Sequence, residues 1–271
     1  MQLMSQSNFT LQFIGTGNAR SKPPHNYNTN AIVRANGCIC LIDCGLLCPL
    51  ALHSLGISLT SIDAAMISHL HGDHVLGLEE LLFTNYFQPT PRRVPLWLPD
   101  GLLSRGSAPP GYDIWDNCLR ASLETTVESA QSSRVLSFDD YADIHMMLPG
   151  KSYDICGISC EPFMVSHIKN RPAYGFILNH CAAFTADCIF SRERIETLLA
   201  NGVHTIFHDV TFIPYAPGVV HTTFEELATL PRDIAEHIYL MHYADDLPQQ
   251  DVFAAQSKGF RFAQRDAIYA F

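Results

Sequence analysis

Three imidazoles and a carboxylate fall within the six residues His69-Leu70-His71-Gly72-Asp73-His74. Imidazole and carboxylate together suit zinc or a similar borderline divalent ion, where all-thiolate or all-oxygen sets suit other metals. The run follows the apolar, strand-like stretch Ile62-Asp63-Ala64-Ala65-Met66-Ile67 and Ser68. If the chain stays extended through His71, residues 69 and 71 point the same way and grip one ion. Gly72 then permits a turn that sends Asp73 and His74 towards a second. A lone histidine is usually a satisfied core or surface residue. Four ligand-type residues at this spacing, at the end of a strand, read instead as part of a metal site.

Further ligands should also follow strands, because a rigid element fixes a ligand better than a loose loop. His167 follows Phe163-Met164-Val165-Ser166, Asp187 follows Ala182-Ala183-Phe184-Thr185-Ala186, and His242 follows Ile238-Tyr239-Leu240-Met241. Each alone reads as structural; in the order His, Asp, His after the opening run they read as one set.

The elements that must position these residues follow from apolar periodicity. Strands are expected at Phe9–Ile14, Ala31–Ala35, Cys38–Ile42, Ala64–Ile67 and Val94–Leu98, then at Ile158–Ser166, Ala173–Asn179, Ala182–Thr185, His204–His208 and Ile238–His242. Helices are expected at Leu46–Leu55, Val75–Phe87, Ser191–Leu199 and Phe224–Leu230, with one or two closing strands in Phe260–Phe271. Arg92–Pro149 is less regular and is broken at Ser107–Gly111. The order suggests a layered α/β sandwich in a single domain over residues 1–271, with a lid or dimer element around 92–149.

With 271 residues, 47% of them hydrophobic and 16% charged, the chain is an ordinary, rather apolar globular protein. Its net charge of −10 argues against a surface built to grip a phosphate backbone, though not against a small anion held by metal ions. Met1–Thr10 carries no basic-then-apolar signal, and no apolar run approaches the ~20 residues of a membrane span. The nine cysteines, Cys38, Cys40, Cys44, Cys48, Cys118, Cys156, Cys160, Cys181 and Cys188, lie mostly in apolar segments and read as free thiols in a reducing cytoplasm. A zinc at Cys38, Cys40, Cys44 and Cys48 is the weaker reading, because Cys38–Cys44 alternates like a buried strand.

Over nearly its full length the chain resembles the metallo-β-lactamase superfamily. That resemblance implies a four-layer αββα sandwich with a dinuclear metal site. Carried over position by position, His69, His71 and His167 hold the first metal, Asp73, His74 and His242 the second, and Asp187 bridges them. Phe13-Ile14-Gly15-Thr16-Gly17 and Leu41-Ile42-Asp43-Cys44-Gly45 look like the family's N-terminal signatures, with Asp43 structural rather than a ligand.

Two further segments point to a branch. Phe207-His208-Asp209-Val210-Thr211-Phe212 and Val220-His221-Thr222-Thr223-Phe224 are similar to segments of the tRNase Z-like phosphodiesterases. The resemblance makes His221 the acid that helps the leaving oxygen depart and Asp209 its orienting partner. Asp209 stands where that branch has glutamate, so it must reach from a closer backbone. His208 stays open between a catalytic and a surface role. The tRNA-gripping arm of tRNase Z belongs between the positions of His167 and Asp187, which here are twenty residues apart. A small or cyclic phosphodiester of cyclic-nucleotide type therefore fits better than a large nucleic acid.

Two divalent ions, zinc in the first instance with manganese and iron also chemically suitable, would sit ~3.5–4 Å apart and make hydroxide available at neutral pH. Asp73 would bind metal and accept a hydrogen bond from that hydroxide. Ser166, Lys169, Arg171 and Tyr174 lie beside His167 in sequence, and Lys169 or Arg171 could contact a substrate phosphate, though a solvated cation is the commoner reading. Tyr86, Phe87, Trp97 and Trp115 read as core packing before an aromatic wall. The rival readings are a lactonase or thioesterase on the same scaffold, an RNA-processing nuclease of the tRNase Z type, and a protein that has kept the fold without turnover. Filled ligand positions speak against the last. A homodimer is what the resemblance suggests.

Overall fold

Side chains along the central strands alternate between two cores, and that alternation stacks the layers. Phe13, Val33 and Ile42 face one core, while their neighbours Ile14, Ile32 and Leu41 face another. Successive side chains of a strand point to opposite faces, so a sheet apolar on both must be covered on both. The second sheet repeats the pattern: Phe184, Phe207 and Met241 meet the first sheet, while Ala183, Ile206 and Leu240 turn to a third core. Three cores separate four layers.

The computed structural model describes residues 8–128, 132–214 and 216–271; the first part of the Met1–Thr10 expectation lies outside them. Among the described residues the first sheet runs in the order Ile268–Ala270, Thr10–Gly15, Asn30–Ala35, Cys38–Ile42, Ala64–Met66, Val94–Pro99, Ala142–Met147. The second runs Arg261–Phe262, Ile238–Met241, Thr205–Asp209, Ala182–Phe184, Ala173–Leu178, Ile158–Val165, Tyr153–Ile155. Cys38–Ile42 through Ala142–Met147 pair in parallel, as do Ala182–Phe184 through Arg261–Phe262. Helices Cys48–Ser54 and Leu78–Tyr86 cover the outer face of the first sheet; Arg192–Ala200, Phe224–Leu227 and Gln249–Ser257 cover that of the second. No helix among the described residues is long and apolar enough to cross a membrane.

The single helix expected over Val75–Phe87 is two, Gly72–Val75 and Leu78–Tyr86. The break at Gly77 comes from its neighbour: the Gly77 amide donates to the Cys44 carbonyl at 2.8 Å, and a Cβ there would collide with the Gly45 backbone. Gly45 in turn lies so close to the Asp73 carbonyl that it too admits no side chain. The Cys44 amide donates to the His74 carbonyl at 2.8 Å and the Leu46 amide to the Gly72 carbonyl at 3.0 Å. Residues 44–46 thus brace the histidine-rich turn from below.

Within 92–149 the two ends are the last two strands of the first sheet, Val94–Pro99 and, at its edge, Ala142–Met147. Between them Leu119, Leu123, Leu136 and Tyr141 pack into the outer core, and Thr126–Glu128 pairs with Ser133–Val135 in a hairpin. The reading of all nine cysteines as free thiols is corrected. Cys38 and Cys156 form a disulfide, with Cα atoms 5.6 Å apart, and the other seven are free. The reason is a turn: Cys156 and Gly157 both adopt positive φ, which sets Gly157 against Asn36, two residues before Cys38. Nothing in a separation of 118 residues announces that approach.

Candidate metal centre

The expected site residues sit at the carboxyl ends of strands. His69–His74 follow Ala64–Met66, His167 follows Ile158–Val165, Asp187 follows Ala182–Phe184, Asp209 ends Thr205–Asp209, and His242 follows Ile238–Met241. Asp43, Ala186 and His242 take left-handed backbone, with φ of 62°, 53° and 64°. That conformation costs a residue with a Cβ about 1–2 kcal/mol, and strain of this kind gathers where function demands a geometry.

The side chains form three overlapping groups whose ligand atoms lie within 4.8 Å of one another: His69, His71, His167 and Asp187; Asp73, His74, Asp187 and His242; Asp187, Asp209, His221 and His242. In the first group, His69 Nε2 and His167 Nε2 each lie 3.1 Å from His71 Nδ1. Asp187 Oδ2 is 3.7 Å from the first of these and 3.8 Å from the second. His167 Nδ1 donates to the Val220 carbonyl at 2.8 Å, which leaves a lone pair on Nε2 facing the other ring nitrogens. Convergent imidazole nitrogens are a donor set that a borderline divalent cation takes.

In the second group, His74 Nδ1 donates to Asp43 Oδ2 at 2.8 Å. Asp43 is itself fixed by the Ser68 amide and hydroxyl, both at 2.7 Å, which accounts for its structural role. His74 Nε2 is buried without a hydrogen-bond partner, although Asp73 Oδ2 and Asp187 Oδ1 lie 3.4 and 3.3 Å away. His242 Nε2 faces the same two oxygens at 3.3 and 3.4 Å. A buried nitrogen lone pair aimed between carboxylates fits a cation, and the donor set passes that test.

The electrostatics divide along the same line. Burial pushes the His69 and His167 imidazoles down, and His71 down to about 4. Burial acts likewise on His74 and His242, but Asp187 and the other carboxylates outweigh it, lifting His74 well above its ordinary value and His242 to about 10. Burial also opposes ionisation of Asp73 and Asp187, yet the imidazoles beside them hold both carboxyls well below the usual range. Asp43, Asp73, Asp187 and Asp209 are all buried here, so the field calls for positive charge.

His221 lies at the open side, its side chain 29% exposed. Its Nδ1 is 3.0 Å from Asp209 Oδ2, and its ring lies 5.0 Å from both His167 and His242. Aspartate therefore reaches His221 despite its short side chain. Asp209 Oδ2 also accepts from the Cys188 amide at 2.9 Å, while Oδ1 lies 3.3 Å from His242 Nδ1. One carboxylate stands behind two histidines.

Other candidates stay apart. His208 bonds the Asp209 carbonyl at 2.8 Å through Nδ1 and points Nε2 at the Cys188 sulfur, so it braces the strand end. Ser166, Lys169 and Arg171 are exposed around the turn after His167, and Tyr174 is buried with its amide on the Ser68 carbonyl. Trp97 stacks on His145, Trp115 on Phe138, and Tyr86 packs against Tyr141, while Phe87 is exposed beside Phe83. Two supports were missed: the Ser68 hydroxyl, 3.0 Å from His69 Nδ1, and the Val220 carbonyl behind His167. A backbone carbonyl leaves no mark in a sequence.

Two stacked sheets flanked by helices, with a His/Asp cluster at their carboxyl ends, define a metallo-β-lactamase-fold protein. The metallo-β-lactamase fold protein YhfI from Bacillus subtilis superposes with a TM-score of 0.72 over 97% of this chain and 100% of its own, at 12% identity. A diphosphatase from the PhnP family superposes at 0.67, covering 97% of each chain at 19% identity. At those identities the likeness is one of fold. The sequence narrows it: residues 9–269 match the model of the family described as Anti-Pycsar protein Apyc1. An Anti-Pycsar protein Apyc1 from Saccharibacillus brassicae is 36% identical over 261 residues, 96% of this chain and 98% of the relative. The chain belongs to the Anti-Pycsar Apyc1 family. Fold, family and donor set together support a metal-dependent hydrolase.

Proposed function

We propose that the protein is a dinuclear metal-dependent phosphodiesterase acting on a small or cyclic phosphodiester of cyclic-nucleotide type. The observation that carries the reading is His221, held by Asp209 at 3.0 Å beside two donor groups that share Asp187. In it, His69, His71 and His167 would hold one ion and Asp73, His74 and His242 the other, with Asp187 common to both donor groups. Asp43, Asp73, Asp187 and Asp209 are all buried around the cluster, a setting that bound divalent cations would offset. Zinc suits the nitrogen-rich set, and manganese or iron the mixed one. Such ions, when bound, supply an acidified water as nucleophile and neutralise the phosphate oxygens.

The chain's own residues do the rest. Asp73 accepts a hydrogen bond from the attacking water and orients it. Asp209 engages His221 Nδ1, so Nε2 is left to deliver a proton to the leaving alkoxide oxygen. Asp209 outweighs the burial that would lower His221, so the imidazole holds its proton more firmly than usual. The tRNase Z-like branch supplies the analogy for that role. The net charge of −10 and the short span from His167 to Asp187 favour a small substrate over RNA. The relatives' name sets them against Pycsar, and a small phosphodiester is the target this site suits. A homodimeric enzyme completes the proposal; the Cys38–Cys156 disulfide removes free thiols as the ground for a cytoplasmic one.

The test is a substrate panel on purified protein loaded with each metal: bis(p-nitrophenyl) phosphate, 2′,3′- and 3′,5′-cyclic nucleotides, and an acyl-homoserine lactone, with metal content measured alongside. Hydrolysis of cyclic nucleotides with two ions per chain is expected. Lactone opening with no phosphodiester turnover would sink the reading.

A further inference from the structure

A cleft of about 580 Å³ opens beside the cluster, with His221 and His242 among its lining residues and none of His69, His71 or His167. It therefore opens from the side on which His221 and His242 stand, away from His69, His71 and His167. Phe212 forms a firm wall, stacked 5.0 Å from Phe224 and 6.2 Å from Phe262. Ile213, 63% exposed, and Leu247 add apolar surface. Arg20 lines the cleft on a loop fixed on either side. The Arg20 amide donates to Asn18 Oδ1 at 2.9 Å, and Asp245 accepts from the Ser21 hydroxyl at 2.7 Å and the Lys22 amide at 2.8 Å. Among the described residues the Arg20 guanidinium makes no ion pair, while Asp246 and Asp251 also line the cleft.

We infer that this cleft seats the organic body of the substrate, an uncharged group of nucleoside size, and that Arg20 and Ile213 help decide which group is accepted. The inference rests on the phosphodiesterase reading. The phosphate belongs at the metal donors, the oxygen that His221 protonates carries the organic group, and the cleft begins at His221. Apolar walls of this volume with a few polar groups suit a small molecule. A guanidinium is all donor, so it matches carbonyl oxygens and ring nitrogens at the edge of a heterocycle. A second phosphate in the same place would meet Asp246 and Asp251, which makes an extended nucleic-acid strand a poor occupant.

Calorimetric binding to the metal-loaded protein tests this, with a non-hydrolysable 3′,5′-cyclic nucleotide phosphorothioate and with inorganic phosphate as probes. Arg20→Ala and Ile213→Asp change exposed side chains on the surface, so the fold is kept. Each is expected to raise Kd for the phosphorothioate at least fivefold and to leave phosphate binding as it was. Wild-type affinity for the phosphorothioate in both variants overturns the inference, as does a parallel loss of phosphate binding or a wild type that binds no phosphorothioate. The hydrolysis panel keeps the two readings apart. A wild type that cleaves phosphodiesters while the variants bind normally removes only the cleft assignment, whereas no cleavage at all removes the function.

Discussion

The two halves of the cluster solve one problem in opposite ways. Around His69, His71 and His167 the groups behind the rings are uncharged, the Ser68 hydroxyl and the Val220 carbonyl. Around His74 and His242 they are carboxylates, Asp43 at 2.8 Å and Asp209 at 3.3 Å. Burial keeps protons off the first half, with His71 pushed down to about 4, while in the second Asp187 first, and then Asp209 and Asp73, outweigh burial and raise His242 to about 10. A half that gathers protons is one whose field favours any cation. The carboxylate-backed half should hold its ion more tightly, and the half backed by neutral groups should be the more labile and the easier to fill with a different metal.

The largest effect is expected where the halves meet. Asp187→Ala removes the one carboxylate shared by both and should leave fewer than one ion per chain by metal analysis. Activity should fall with it by roughly 10³-fold or more, since metal charge stabilisation contributes several kcal/mol. Unchanged metal content would refute the bridging role. Next comes His221→Ala, which belongs to neither half. It should keep both ions and lose about 10²–10⁴-fold on substrates with poor leaving groups, but much less on p-nitrophenyl esters, whose leaving oxygen needs no proton. Full activity on a ribonucleotide-type ester would remove the acid role.

How far the sequence reached follows the same physics. The strands that carry ligands alternate or run apolar over several residues, so Cys38–Ile42 stands in the structure as read and the other central strands differ by a residue or two at their ends. Ala142–Met147 escaped notice because it is an edge strand, with Asp143, His145 and Met146 turned partly to solvent. Gln249–Ser257 escaped because only Ala255 among its residues is buried, which leaves almost no apolar stripe to detect. In the cluster, residues named by type were legible: the imidazoles and carboxylates lie together. The contacts behind them were legible only where a side chain supplies them, as at Asp43. The Cys38–Cys156 disulfide depends on two turns meeting in space, which no local pattern encodes.

The smallest effects decide whether the contrast between halves is real, because they alter the support and leave every ligand in place. Asp43→Asn keeps the shape, and asparagine tolerates the left-handed backbone that residue 43 adopts. It exchanges a full charge behind His74 for a dipole and should weaken one ion by about 10–100-fold in a chelator competition, the usual span for such supports. Ser68→Ala removes a neutral hydroxyl near His69 Nδ1, and the Ser68 amide still holds Asp43. Its effect should be at most a few-fold and should fall on both ions, since the same hydroxyl also touches Asp43. If the two variants weakened metal equally, charge behind the ring would not be what separates the halves. The difference in His74 and His242 would then have to come from Asp73 and Asp187 alone.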